Sequence, residues 1–141
     1  MNIKVGLTNW QQQADDLTEI RYAVFVVEQH VPVAMELDEH DADAIHAIAL
    51  TNDGQTVGTG RLLKSGKIGR MAVLAPWRNQ GIGSAILRLL TTTSLEQLGK
   101  TPYLEAQIQA IPFYENHGYV AEGDLYLDAG IEHRLMRYEQ H

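Results

Sequence analysis

The chain has 141 residues, 45% of them hydrophobic and 21% charged, enough for one domain with a sizeable apolar core and too few for two. Its formal net charge of −7 supplies no basic footprint, so nonspecific binding to nucleic acid or to an anionic membrane is not expected and cationic partners are favoured. It has no cysteine, which removes disulfides, thiolate metal sites and a cysteine nucleophile together.

Ile3, Val5 and Leu7 alternate with Asn2, Lys4 and Gly6, the period of a half-buried strand. Asn2 and Lys4 also interrupt any secretory leader, and the apolar runs are strand-sized rather than the roughly 20 residues of a membrane span, so a cytoplasmic location is expected. A helix follows, with Asp15 or Asp16 as its cap, Glu19 in its first turn, Leu17, Ile20, Val24 and Val27 at helical spacing, and Pro32 marking its end. Residues 45–50 and 56–63 read as strands joined by the hairpin signal Asn52-Asp53-Gly54, and Ser65-Gly66 turns the chain into a third antiparallel strand near 67–74. A long helix over 79–98 is predicted between Pro76 and a capping Gly99. The strand at 103–108 then pairs in parallel through a right-handed crossover. A short helix at 111–117 carries Pro112 in its first turn, and two strands, near 119–127 and 133–139, complete the chain. No repeat or linker interrupts it, so residues 1–141 are expected to form one α+β (mixed α/β) domain around a central, mostly antiparallel sheet.

Residues 71–84 carry the most chemistry. Arg78, Gly81 and Gly83 stand in an R-x-x-G-x-G spacing, and Ile82, Ile86, Leu87, Leu89 and Leu90 show that the glycines open a helix. Free N–H groups and the positive dipole end favour an anion there, and glycine lets the backbone approach phosphate oxygens closely. The plain alternative is an amphipathic helix whose glycines serve only packing. A second segment, Gln107 to Tyr119, puts Tyr114 on a short helix directly after a strand.

Together these segments resemble the GNAT superfamily of acetyl-CoA-dependent N-acetyltransferases, whose R/Q-x-x-G-x-G/A motif and later A-x-x-x-Y-x-x-x-G-Y/F motif stand here in the same order. Residues 24–32, the acidic positions Glu36, Asp38 and Asp41, and Ala129-Gly130-Ile131-Glu132-His133 look like the small bacterial YjcF/ElaA-like branch. The resemblance implies a sheet splayed between the strands near 67–74 and 102–108, with the pantetheine arm of acetyl-CoA on Met71, Ala72 and Val73. Arg78, Asn79, Gln80, Gly81, Ile82, Gly83 and Ser84 would form the pyrophosphate arm, and Gln107 stands where many members have asparagine. Tyr114 would be the acid that protonates the departing thiolate, and the N–H of Ala72 or Val73 would polarise the thioester carbonyl.

The strand at 67–74 has no glutamate, where some members of the family place their base. Glu105 shares a strand face with Tyr103 and Gln107, and Glu28 lies in the segment that walls the acceptor site; either acts through water or is simply solvated or ion-paired. Glu36, Asp38, Glu39, Asp41 and Asp43 form an acidic loop that either concentrates a cationic amine or is solvated surface. With Glu28 and His133, the carboxylates Glu36, Asp38 and Asp41 are the acceptor-side candidates. His40 with Asp38 and Asp41 matches no metal-ligand spacing, so no metal is expected, and His30, His46 and His117 read as structural. The resulting reading is direct acetyl transfer to a primary amine of a small, cationic acceptor, with a homodimer left open. The competing readings are an acyl-CoA-binding sensor without turnover and a nucleotide-binding or interaction module.

Overall fold

In the computed structural model, which describes residues 3–31 and 38–139, β1 (Ile3–Thr8) leads into α1 (Trp10–Arg21) and a wider π-helical segment, Tyr22–Glu28. β2 (Ile45–Thr51), β3 (Thr56–Leu62) and β4 (Lys67–Val73) form an antiparallel meander, followed by a 3₁₀ turn at Ala75–Trp77 and by α2 (Ile82–Thr93). β5 (Tyr103–Gln107), α3 (Ile111–Glu115), β6 (Tyr119–Asp128) and β7 (Ile131–Tyr138) complete the chain. The seven strands lie in the order β1-β2-β3-β4-β5-β7-β6, antiparallel except for the β4–β5 pair. This is the mixed α+β domain expected from the strand and helix periods. Among the described residues no helix is long and apolar enough to cross a membrane.

One face of the sheet is covered by α2, which buries Ile82, Ile86, Leu87 and Leu90 against Ala47, Ala49, Leu62, Ile68, Leu104 and Met136. Each fully buried aliphatic side chain contributes about 1.5–3 kcal/mol. The helix sits so close to β3 that a Cβ on Gly60 would lie 2.8 Å from both Ile86 Cγ2 and Leu90 Cδ1. α1 covers the opposite face and buries Leu17 and Ile20.

Two helix starts differ from the sequence expectation, and the end marked by Pro32 lies outside the described residues. Asn9, not Asp15 or Asp16, caps α1: its side chain accepts the Gln12 N–H at 2.9 Å, and both aspartates sit exposed in mid-helix with Glu19 beyond them. The extra turn, Trp10 to Gln13, lacks apolar periodicity and bends at Gln13, which hides the true start. The long helix begins at Ile82 rather than at residue 79, because Asn79 (φ +62°) and Gly81 (φ +84°) are left-handed and stop the helix from extending backwards. At its other end α2 gives way to a π-helical turn, Ser94–Leu98, and Gly99 ends it in the left-handed conformation as expected.

Candidate active site

β4 and β5 pair only at Lys67↔Tyr103 and Ile68↔Leu104. Beyond that point they diverge and open a cleft of about 1080 Å³ that reaches both faces of the sheet. Register assigns the walls. Gly58↔Val73 and Leu62↔Ile68 lie on the α2 side, whereas Arg61↔Gly69, Glu105, Gln107 and His133 lie on the α1 side. The α2 wall includes Trp77, Gly81 to Ser84, Phe113 and Tyr114; the α1 wall includes Phe25, Gln29, Asp38, Arg61, Gln107 and His133. Met71, Ala72 and Val73 border the gap itself.

At the α2 start no side chain among the described residues caps the helix, so the N–H groups of Ile82, Gly83 and Ser84 have no capping acceptor there, and the first intrahelical bond runs from Ala85 N–H to Gly81 O at 3.1 Å. Arg78 does not extend freely into this space. Its Nε donates to the Val73 carbonyl at 2.8 Å, and its two Nη atoms clamp Glu28 at 2.6 and 2.7 Å. That hydrogen-bonded pairing lowers the Glu28 carboxyl and raises the Arg78 guanidinium. Asn79 lines the cleft, whereas the Gln80 side chain folds back onto the Pro76 carbonyl at 3.3 Å.

Tyr114 stands on the one-turn α3, its ring edge-on to Phe113 at 5.1 Å and to Tyr119 at 6.2 Å. Tyr114 lines the cleft, and burial pushes its phenol up to about 12. Gln107 donates to the Gln29 amide oxygen at 2.9 Å and accepts from Gln109, tying β5 to the end of the π-helical segment.

Two carboxylates of the acidic loop, Asp38 and Asp41, look inward. Glu36 lies outside the described residues. Asp41 is 2% exposed and accepts from Arg21 Nη1 at 2.8 Å and Arg61 Nη1 at 3.0 Å. Asp38 lines the cleft but accepts from Arg61 at 2.7 Å and Arg70 at 3.2 Å. Burial raises both carboxyls, and the arginine hydrogen bonds and charges outweigh it, leaving both below the ordinary range. Glu39 and Asp43 are exposed. Glu105 is half-exposed with an oxygen 3.3 Å from Lys67 Nζ. His133 is 8% exposed, its Nδ1 2.7 Å from the Ile131 carbonyl and its ring stacked on Tyr126 at 5.9 Å. The structure thus gathers Asp38, Glu105, Gln107 and His133 around the cleft, leaves Glu28 behind Arg78, and turns Asp41 away.

An acetyltransferase (GNAT) domain model matches residues 13–140. The chain belongs to the GNAT acetyltransferase family. It is 35% identical over 138 residues to the uncharacterized N-acetyltransferase YjcF of Bacillus subtilis, covering 95% of this chain and 98% of that one. An acyl-CoA N-acyltransferase from Pseudomonas aeruginosa superposes with a TM-score of 0.85 at 30% identity, covering 98% of this chain and all of that one, 100%. Escherichia coli ElaA superposes equally well, with a TM-score of 0.85 at 29% identity over 98% and 100% of the two chains. This GNAT protein is therefore an acetyl-CoA-dependent acyltransferase of the YjcF/ElaA-like branch, and its donor is an acyl-CoA. The α2 start fits the donor's pyrophosphate: it offers uncapped N–H groups, and no Cβ stands at Gly81 or Gly83.

Arg61 and Arg70 are charged cleft residues that the sequence reading does not single out. A lone arginine in the apolar run Val57–Leu63 is a usable signal, since a charge inside a buried strand needs partners. Arg70 carries a weaker one: it sits at φ +49° within the register shift between β3 and β4, which sequence does not display.

Proposed function

We propose that this protein moves the acetyl group of acetyl-CoA to a primary amine of a small molecule by direct attack in a ternary complex. The observation that carries the reading is the divergence of β4 from β5, which joins the uncapped start of α2 on one face to the polar α1 wall on the other. In this reading the N–H groups of Gly81 to Ser84 hold the pyrophosphate with Arg78, and Asn79 and Gln80 complete the arm through their backbone. The strand-free edge of Met71, Ala72 and Val73 pairs with the pantetheine amides, Gln107 adds a side-chain contact, and an N–H of Ala72 or Val73 polarises the thioester carbonyl.

The amine nitrogen attacks the carbonyl carbon, the C–S bond breaks, and Tyr114 gives its hydroxyl proton to the sulfur. A phenol raised by burial is a reluctant acid towards a solvated thiolate. The same wall desolvates the thiolate that forms against it, so the donor and recipient rise together. Of the acceptor-side candidates, Asp38 lines the cleft and Glu28 sits behind Arg78, and each already holds arginine. Preference for a cationic body therefore rests on exchange of those partners rather than on an open acidic loop.

The test is a panel of amines (butylamine, putrescine, glycinamide and lysine) incubated with acetyl-CoA while CoA release and N-acetyl product are followed together. Product formation matched to CoA release supports transfer. Tight acetyl-CoA binding with neither signal from any amine supports the sensor reading instead.

A further inference from the structure

We propose that His133 is the general base that deprotonates the acceptor amine, a role that rests on the acetyl-transfer reading above. The Ile131 carbonyl can only accept, so the 2.7 Å contact places the single ring proton of neutral His133 on Nδ1 and leaves the lone pair on Nε2. The ring is held from a second side by the stacked Tyr126, its cross-strand partner on β6. Both constraints sit beside the tight Ala129-Gly130 turn, where φ is +53° and +76°, so the imidazole is fixed by the hairpin rather than free to rotate. His133 lines the cleft on the α1 side, directly across the β5–β7 ladder from Gln107, beyond the point where β4 and β5 part.

Most carboxylates at or behind that wall are engaged, Asp128 at the hairpin excepted among the described residues. Both Glu28 oxygens hold Arg78, Glu105 holds Lys67 on the strand beside it, and Asp38 holds Arg61 and Arg70. His40 is exposed on the loop, with no hairpin to fix it. His133 combines cleft access, a defined lone pair and, among the described residues, no ion-pair partner.

The protons balance as follows. His133 Nε2 takes one proton from the incoming ammonium and releases it to solvent through the open mouth of the cleft. The nitrogen then bonds to the carbonyl carbon, and on becoming an amide it sheds a second proton, which replaces the one Tyr114 gives to the sulfur. The sum is ammonium plus thioester giving amide, thiol and one proton.

His133→Gln tests this with two nucleophiles in one protein. The first is the most reactive alkylamine of the panel above, which is protonated at neutral pH and needs a base. The second is hydroxylamine, whose weakly basic nitrogen is already neutral there. The expected result is a fall of about 100- to 10,000-fold in alkylamine turnover with hydroxylamine turnover kept within a few fold. The alkylamine rate of the variant should then climb steadily with pH as free amine accumulates. Retained hydroxylamine turnover also shows that the variant folds and binds acetyl-CoA. An equal fall with both nucleophiles, or no fall with either, overturns the base role while leaving acetyl transfer standing. A parent protein that binds acetyl-CoA but acetylates neither nucleophile overturns the acetyl-transfer reading and the base with it.

Discussion

Replacing Tyr114 by phenylalanine removes one oxygen and keeps the ring contacts to Phe113 and Tyr119 at 5.1 and 6.2 Å. Acetyl-CoA affinity should therefore stay within about twofold, because packing against the donor is retained. The catalytic effect should be large. A phenol pushed up to about 12 faces a thiol whose ordinary pKa is about 8.5, a gap worth ~4.8 kcal/mol if the thiolate formed in bulk water. Transfer from Tyr114 avoids that penalty only if the proton moves as the C–S bond breaks in the desolvated cleft. Losing the donor should then slow the chemical step by about 100- to 10,000-fold, or ~2.7–5.4 kcal/mol. The raised phenol has a second consequence: turnover of the parent should not decline near pH 10, where an ordinary tyrosine ionises, but only towards about pH 12. Single-turnover quench measurements at saturating acetyl-CoA read the chemical step directly. A Tyr114→Phe rate within a few fold of the parent, with chemistry still limiting, would show that water or another group protonates the thiolate.

At Gly83 an added Cβ would meet Phe113 at 3.6 Å and Val73 at 3.9 Å, ordinary contact distances. Gly83→Ala should therefore raise Tm, alanine being favoured in helices by up to about 1 kcal/mol, and leave CoA affinity within a few fold; Gly83→Val should weaken it by about tenfold or more by calorimetry, the scale of one charge-assisted hydrogen bond. Glu28→Gln releases the Arg78 guanidinium from its clamp and should tighten acetyl-CoA binding severalfold, an increase that a titration detects and that a purely structural pair would not produce. Asp41→Asn leaves Arg21 and Arg61 buried with a weakened acceptor and should cost about 3–5 kcal/mol in denaturant unfolding. Because the Asp38 and Asp41 carboxyls are lowered in the folded state, their contribution is fully present above the ordinary carboxylate pKa of about 3.9 and is lost as pH falls through the lowered values. Acid unfolding of the parent below about pH 4 should accordingly be flatter in Asp41→Asn.

Short-range chemistry was legible in the sequence. The Asn52-Asp53-Gly54 turn, the left-handed Gly99 and the glycines that open α2 are each set by neighbours within a few residues, and apolar alternation in the first strand with turn signals between the later ones locates the strands of the sheet. The site depends on longer reach. Arg21 meets Asp41 across 20 residues and Arg70 meets Asp38 across 32, pairings that no local period displays, so the acidic loop reads as open charge although its described carboxylates at 38 and 41 are neutralised. Arg78 looked like a free phosphate ligand for the same reason: its Glu28 partner is 50 residues away. The divergence of β4 from β5 is a backbone event with no residue signature of its own, and only the family resemblance anticipated it. The cap of α1 was missed because Gln11, Gln12 and Gln13 carry no apolar stripe to point back to Asn9.

Acetyl-CoA turnover with stoichiometric product is the most direct test of the central reading. Acetyl-CoA labelled in the acetyl carbonyl is incubated with the panel amine that releases CoA fastest, and labelled amide and free acetate are counted by NMR against the CoA formed. One labelled amide per CoA, with acetate at the level of the protein-free control, is the result that direct N-acetyl transfer requires. CoA release matched by acetate rather than amide would contradict it and make the cleft a site of thioester hydrolysis.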